Sequence, residues 1–133
     1  MIVVLDSGVW ISAFHFGGVP RQALGFAATR CSIALSQPIR DEIDRILQKK
    51  FRWSKQSIND VFGAFASRVM TVDTPGALHG VCRDPNDDMV VECAVVASAE
   101  LIVSGDKDLL SMKRYKSIRI VSARAFLRAI DTE

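Results

Sequence analysis

Cysteine and histidine are both scarce in this 133-residue chain. The three thiols, Cys31, Cys82 and Cys93, form an odd count without paired spacing. That argues against a disulfide framework or a zinc site and points to a reducing cytoplasm. His15 and His79 stand alone, with no serine or cysteine at a recognisable spacing, so they read as loop or surface residues rather than catalytic bases. No glycine-rich phosphate loop occurs, neither G-x-x-x-x-G-K-[ST] nor G-x-G-x-x-G. No apolar run approaches the roughly 20 residues of a membrane span. The first residues carry no basic segment and no small-residue cleavage site, so neither a signal peptide nor a membrane contact is expected. Repeats, low-complexity tracts and linkers are absent too. Residues 1–133 therefore read as a single domain, long enough to bury a core without staples. Net charge is small, with 17 Lys and Arg against 15 Asp and Glu. If four acids are committed to a cation, 17 positive groups face 11 negative ones, a surplus that suits a polyanion such as nucleic acid.

What the chain does have is two apolar runs that end on an acid. Ile2-Val3-Val4-Leu5 runs into Asp6-Ser7-Gly8, and Leu101-Ile102-Val103 into Ser104-Gly105-Asp106. Short continuous apolar runs read as strands buried on both faces, as in a parallel sheet under helices. Each aspartate then sits at the carboxyl end of its strand, the edge at which open α/β sheets bind ligands. A plainer reading is that each Asp caps the helix that follows. Between these runs the pattern alternates. Helices are expected over 9–16 and 20–29, a strand over 31–35, and a helix after Ser36 with Pro38 in its first turn. Another helix is expected over 54–67, a strand over 69–72, an irregular loop over 74–86 and a helix over 87–99. A helical turn follows Asp106, then a last strand over 117–121 and a last helix capped by Ser122. Alternation of this kind predicts a mainly parallel sheet with helices on both faces.

Other acids gather around the two strand ends. On the helix after Ser36, Ile39, Ile43, Ile46 and Leu47 form an apolar stripe. Of its acids, Asp41 points away, Asp44 lies on the far flank, and Glu42 lies at the stripe's edge, either held against the protein body or solvated at the border. Asp84, Asp87 and Asp88 crowd the start of the later helix, and Glu92 shares the face of Asp88. An N-cap explains one such acid, not three. These acids do not form a calcium loop, because Met89 and Val95 stand where Gly and Glu are needed. Carboxylates clustered from separate elements are costly without a cation. Hard divalent ions such as Mg²⁺ or Mn²⁺ prefer such oxygen ligands and serve phosphodiester hydrolysis. Lys49, Lys50, Arg52 and Lys55 close one helix and open the next. They answer the helix dipole or, interleaved with Phe51 and Trp53, hold single-stranded nucleic acid. Lys107 beside Asp106 joins those nucleic-acid-binding candidates.

These residues resemble the PIN-domain family. Val3-Val4-Leu5-Asp6-Ser7-Gly8-Val9-Trp10-Ile11-Ser12-Ala13 is similar to its opening strand and turn. Arg83-Asp84-Pro85-Asn86-Asp87-Asp88, Ile102-Val103-Ser104-Gly105-Asp106-Lys107-Asp108-Leu109-Leu110 and Ile120 to Leu127 are similar to its second half. The similarity is greatest to prokaryotic single-domain toxins of type II toxin–antitoxin pairs. It implies a three-layer α/β/α fold with a central parallel sheet of about five strands. It also implies a Mg²⁺- or Mn²⁺-dependent ribonuclease, with an RNA substrate, a small antitoxin partner and a homodimer built with groups such as Trp10, Phe14, Phe16 and Trp53. The family's four acids fall on Asp6, Glu42, Asp88 and Asp106, with Asp6, Asp88 and Asp106 as metal ligands. Ser7 takes the family's hydroxyl position, Asp108 matches a frequent extra acid, and Asp84, Asp87 and Glu92 are supporting acids. One position departs: Gly8 stands where the family usually has a polar residue, often Asn, that orients the first carboxylate. Gly8 favours an alternative, a catalytically degenerate PIN domain that binds RNA or a protein without cutting. The acid set opposes it.

Overall fold

The computed structural model describes residues 1–131. β1 (Ile2–Leu5) leads into α1 (Ser7–His15) and α2 (Gly18–Arg30), and β2 (Ser32–Ser36) into α3 (Gln37–Lys49) and α4 (Lys55–Ala64). A 3₁₀ turn (Ala66–Arg68) enters β3 (Val69–Val72). After an irregular loop come α5 (Pro85–Ala97), β4 (Leu101–Val103), α6 (Lys107–Met112), β5 (Arg114–Tyr115), β6 (Ile118–Val121) and α7 (Ala123–Asp131).

The sheet runs β3-β2-β1-β4-β6-β5. Its first five strands are parallel, with Val4 between Ala34 and Ile102. β5 alone is antiparallel, pairing Tyr115 with Ile118. The expected three-layer α/β/α fold is present, but the sheet has six strands rather than about five. The extra strand has only two residues, too few to show alternation, and its turn uses Lys116 at φ 55° instead of a signalling Gly or Asn.

β1 lies at the centre because Val3, Val4 and Leu5 have no exposure at all and need cover on both faces. The chain leaves β1 toward β2 on one side and returns to β4 on the other. The order reverses there, so a crevice opens between the carboxyl ends of β1 and β4. Helix α5 packs across β1 to β4, while α1 packs against α2 and α3. The stripe of α3 behaves as its spacing predicts: Ile39, Ile43 and Leu47 are sealed in the core. Trp10 is sealed as well, with the Phe62 ring 5.2 Å away. Among the described residues no helix is long and apolar enough to cross a membrane.

Candidate active site

Asp6 ends β1 and does two things at once. Its Oδ1 accepts the Val9 N–H at 2.8 Å and so caps α1. Its Oδ2 accepts a short hydrogen bond from the Ser104 hydroxyl. Ser104, fully buried one residue past β4, accepts the Asp106 N–H at 2.9 Å through the same oxygen. One hydroxyl thus ties the two strand-end aspartates together. Asp106 in turn caps α6, with Oδ1 accepting the N–H groups of Asp108 at 2.8 Å and Leu109 at 3.1 Å. Capping therefore does not compete with a site: Asp6 spends one oxygen on its helix, and both aspartates line the same cavity.

That cavity, about 600 Å³, lies at the reversal point of the sheet. Five acids line it: Asp6, Glu42, Asp84, Asp87 and Asp106. Arg124 is the one Lys or Arg in its wall among the described residues. Glu42 reaches it from the edge of the α3 stripe and accepts the Ser7 hydroxyl at 3.0 Å. Asp84 sits at the rim and caps α5 through the Asn86 N–H at 3.0 Å. Burial raises the Asp6 pKa above the ordinary range, and the Asp106 and Glu42 charges add to the rise against the opposing hydrogen bonds from Ser104 and Val9.

The third acid inside is Asp87, not Asp88. Asp87 is 9% exposed, and its Oδ2 is buried with no hydrogen-bond partner among the described residues. Burial pushes its carboxyl up to about 7, helped by the charges of Asp106, Asp84 and Asp6. Asp88, the next residue, is turned about 100° around the helix. Its oxygens accept the Gly80 N–H at 3.0 Å and the Cys82 N–H at 2.7 Å, outside the cavity. Burial works to raise the Asp88 pKa, yet these donors outweigh it and hold the group below the ordinary range. Glu92, one turn on, accepts the N–H groups of Gly76, Ala77 and Leu78 at 3.1, 2.7 and 2.9 Å. Asp88 and Glu92 are therefore anchors for the loop over residues 73–84, whose backbone donors have no ladder to join. The resemblance implies Asp88 as the third acid, whereas the cavity wall holds Asp87.

The remaining candidates lie outside the cavity wall. Asp108 is 3.7 Å from the exposed Arg83 guanidinium, and Lys107 is exposed on α6. Lys49, Lys50, Arg52 and Lys55 are exposed at the junction of α3 and α4. Phe51 and Trp53 are half-buried there rather than free. Of the aromatic groups proposed for self-association, Trp10 is core, Phe14 and Trp53 are half-buried, and Phe16 alone is well exposed. The Cys82 thiol is pushed up to about 12 by burial and by Asp88, so it offers no thiolate nucleophile.

The donor set fits a hard divalent cation. It is all oxygen, it gathers acids from four elements, and it leaves one buried carboxylate oxygen on Asp87 unpaired. Asp6, Asp87 and Asp106 are the residues that would hold such an ion, and Glu42 lines the same cavity. Among the described residues no three acids, histidines or cysteines are gathered closely enough to hold an ion as they stand. Mg²⁺ suits that openness, because it keeps several waters and takes few carboxylates. Gly8 lines the cavity too, and a Cβ there would stand 3.4 Å from Asp6 Oδ1, an ordinary contact.

No curated protein matches the chain. A solved structure, described as the crystal structure of VapBC2 from Rickettsia felis bound to a DNA fragment from their promoter, contains a similar chain. The two are 20% identical, and the match covers 90% of this chain and 97% of that one with a TM-score of 0.62. A family model described as PIN domain matches residues 2–108. With that match spanning most of its length, and with a parallel sheet that gathers acids at its reversal point, the chain belongs to the PIN domain family.

Proposed function

We propose that the protein is a metal-dependent endoribonuclease whose centre is formed by Asp6, Glu42, Asp87 and Asp106. The observation that carries this reading is the buried Asp87 Oδ2, without a hydrogen-bond partner among the described residues, beside four other acids at the crevice of the sheet. A buried anion with no donor and several like charges nearby is stable only if protonated or neutralised by a cation. Bound Mg²⁺ or Mn²⁺ supplies positive charge against the phosphodiester and acidifies water. Asp6, Asp87 and Asp106 would hold that charge, and the Ser104 hydroxyl ties Asp6 to the Asp106 backbone. Glu42 is held by Ser7 through Oε1 and is the carboxylate placed to accept a proton from the attacking water. Water adds to phosphorus, one P–O ester bond breaks, and the leaving oxygen takes a proton.

The structural neighbour belongs to a VapBC pair bound to a promoter DNA fragment. This supports a toxin role with a small antitoxin partner; a cytoplasmic homodimer is part of the same proposal. Cleavage of single-stranded RNA by the wild type in Mn²⁺, absent in Asp6→Asn, tests the activity. A solution mass twice the 14.6 kDa of the chain tests the dimer. Gly8 supports a second reading, a PIN domain that binds RNA or a protein without cutting, because no side chain from this position reaches the open flank of Asp6.

A further inference from the structure

The acid cavity by itself repels the phosphates it would have to receive, and among the described residues its wall holds only Arg124 as a counter-charge. Affinity for a nucleic acid must come from an adjoining surface, and one is present. Ser12 on α1 and Ile46 on α3 line the cavity. Residues three or four apart share a helix face, so the next positions outward are Phe16, at the end of α1, and Lys49 with Lys50, at the end of α3. The two helix ends meet: the Phe16 and Phe51 rings lie edge to face, centroids 5.6 Å apart. The His15 ring lies 4.1 Å from Phe51, and its Nδ1 accepts the Trp53 Nε1–H at 3.1 Å. Phe16 is therefore held by its neighbours yet 69% exposed, more than any other large apolar side chain among the described residues. Lys49, Lys50 and Arg52 flank Phe51 in the chain and are exposed; Lys50 Nζ lies 5.6 Å from the Phe51 ring, and among the described residues none of the three forms an ion pair with an acid.

We propose that this aromatic platform carries the substrate strand beyond the cavity. It holds single-stranded RNA next to the scissile phosphate, with a base stacked on Phe16 and phosphates against Lys49 and Lys50. The identity of the strand rests on the nuclease reading above; the surface chemistry does not. A ring fixed in advance loses little freedom when a base stacks on it, and lysines without an acid partner release counterions when they meet phosphate. One helical turn, about 5.4 Å, separates cavity wall from platform, on the scale of a nucleotide step. Duplex RNA keeps its bases stacked internally and cannot use Phe16.

Binding of an end-labelled uridine oligomer to the full-length chain, followed by fluorescence anisotropy in chelator so that no cleavage occurs, tests the proposal. Phe16→Ala should weaken binding at least about five-fold, and Phe16→Tyr should restore it. Replacing Lys49 and Lys50 together by Ala should lower the slope of log affinity against log salt by about 1.4. The proposal is overturned if the wild type binds no oligomer or if Phe16→Ala binds as well as the wild type. The same loss for duplex RNA would also overturn it. So would a Phe16→Ala variant whose solution mass halves while its RNA affinity holds, since the patch would then join copies of the chain. Absence of Mn²⁺-dependent cleavage by the wild type would remove the nuclease reading and leave this binding result standing, so the two failures are separable.

Discussion

Asp87 and Asp88 are consecutive residues in the first turn of α5 that face opposite tasks: one carboxylate lies unpaired in the acid cavity, the other accepts the Gly80 and Cys82 N–H groups. Neutralising them should shift stability in opposite directions. Asp87→Asn removes repulsion and should stabilise the metal-free protein at pH 8 by about 1–2 kcal/mol. Asp88→Asn replaces a charged acceptor by an amide that cannot accept both N–H groups, and should cost about 2–3 kcal/mol. Urea melts in chelator measure both.

The pH dependence follows from the same carboxylate. Asp87 titrates at about 7 in the fold against an ordinary 3.8, so between those values the native state binds more protons than the unfolded chain. Metal-free stability should therefore fall as pH rises through this window, and the raised Asp6 acts in the same direction. Asp88 acts oppositely, since its pKa is lowered: its contribution disappears only as pH falls below the ordinary carboxylate range. Melting temperatures from pH 4.5 to 8 should show the decline in the wild type and a flatter profile in Asp87→Asn. Mn²⁺ should restore stability at pH 8.

Ser104→Ala should loosen the cation site without touching a carboxylate. It leaves the Asp106 N–H without its acceptor and Asp6 Oδ2 without its donor. A stability loss of about 1–3 kcal/mol is expected, with Mn²⁺ affinity reduced about 10- to 100-fold. Calorimetric titration reads the affinity. Unchanged Mn²⁺ binding would show that the hydroxyl does not organise the site.

Gly8→Asn supplies the side chain that the family usually places beside the first acid. The position has room for it, 3.4 Å from Asp6 Oδ1. Replacing Gly within α1 by Asn also recovers a few tenths of a kcal/mol, roughly the difference between their helix propensities. A higher melting temperature together with faster Mn²⁺-dependent cleavage is the expected outcome. A more stable variant with no cleavage would favour the binding-only reading.

How far the site could be read from the sequence differs between two helices. Glu42 was only half legible: Ile39, Ile43 and Leu47 phase α3 and put it at the stripe's edge, where spacing alone allows either contact with the body or solvation, and the Ser7 hydroxyl decides its place. No such stripe phases α5: Val90, Val91, Cys93, Ala94 and Ala97 are all buried, and the helix is apolar nearly all round. Its orientation hangs on the cap at Asp84, and a shift of one residue turns it by about 100°, enough to exchange Asp87 for Asp88. A signal was present in the loop before it. A long irregular segment with glycines needs acceptors for its N–H groups, and Asp88 with Glu92, four apart, supplies them. Asp6 was legible because an apolar run stops on it, and Asp106 because it follows a second such run by three residues. β5 was not, because two residues carry no period.

The most direct test compares Mn²⁺-dependent cleavage of single-stranded RNA by the wild type, Asp87→Asn and Asp88→Asn, all held below the melting temperature of the weakest variant. The account predicts that Asp87→Asn stays folded and loses cleavage, while the less stable Asp88→Asn keeps most of it. An Asp87→Asn protein that cleaves as the wild type does, or an Asp88→Asn protein that is folded and inactive, would contradict it.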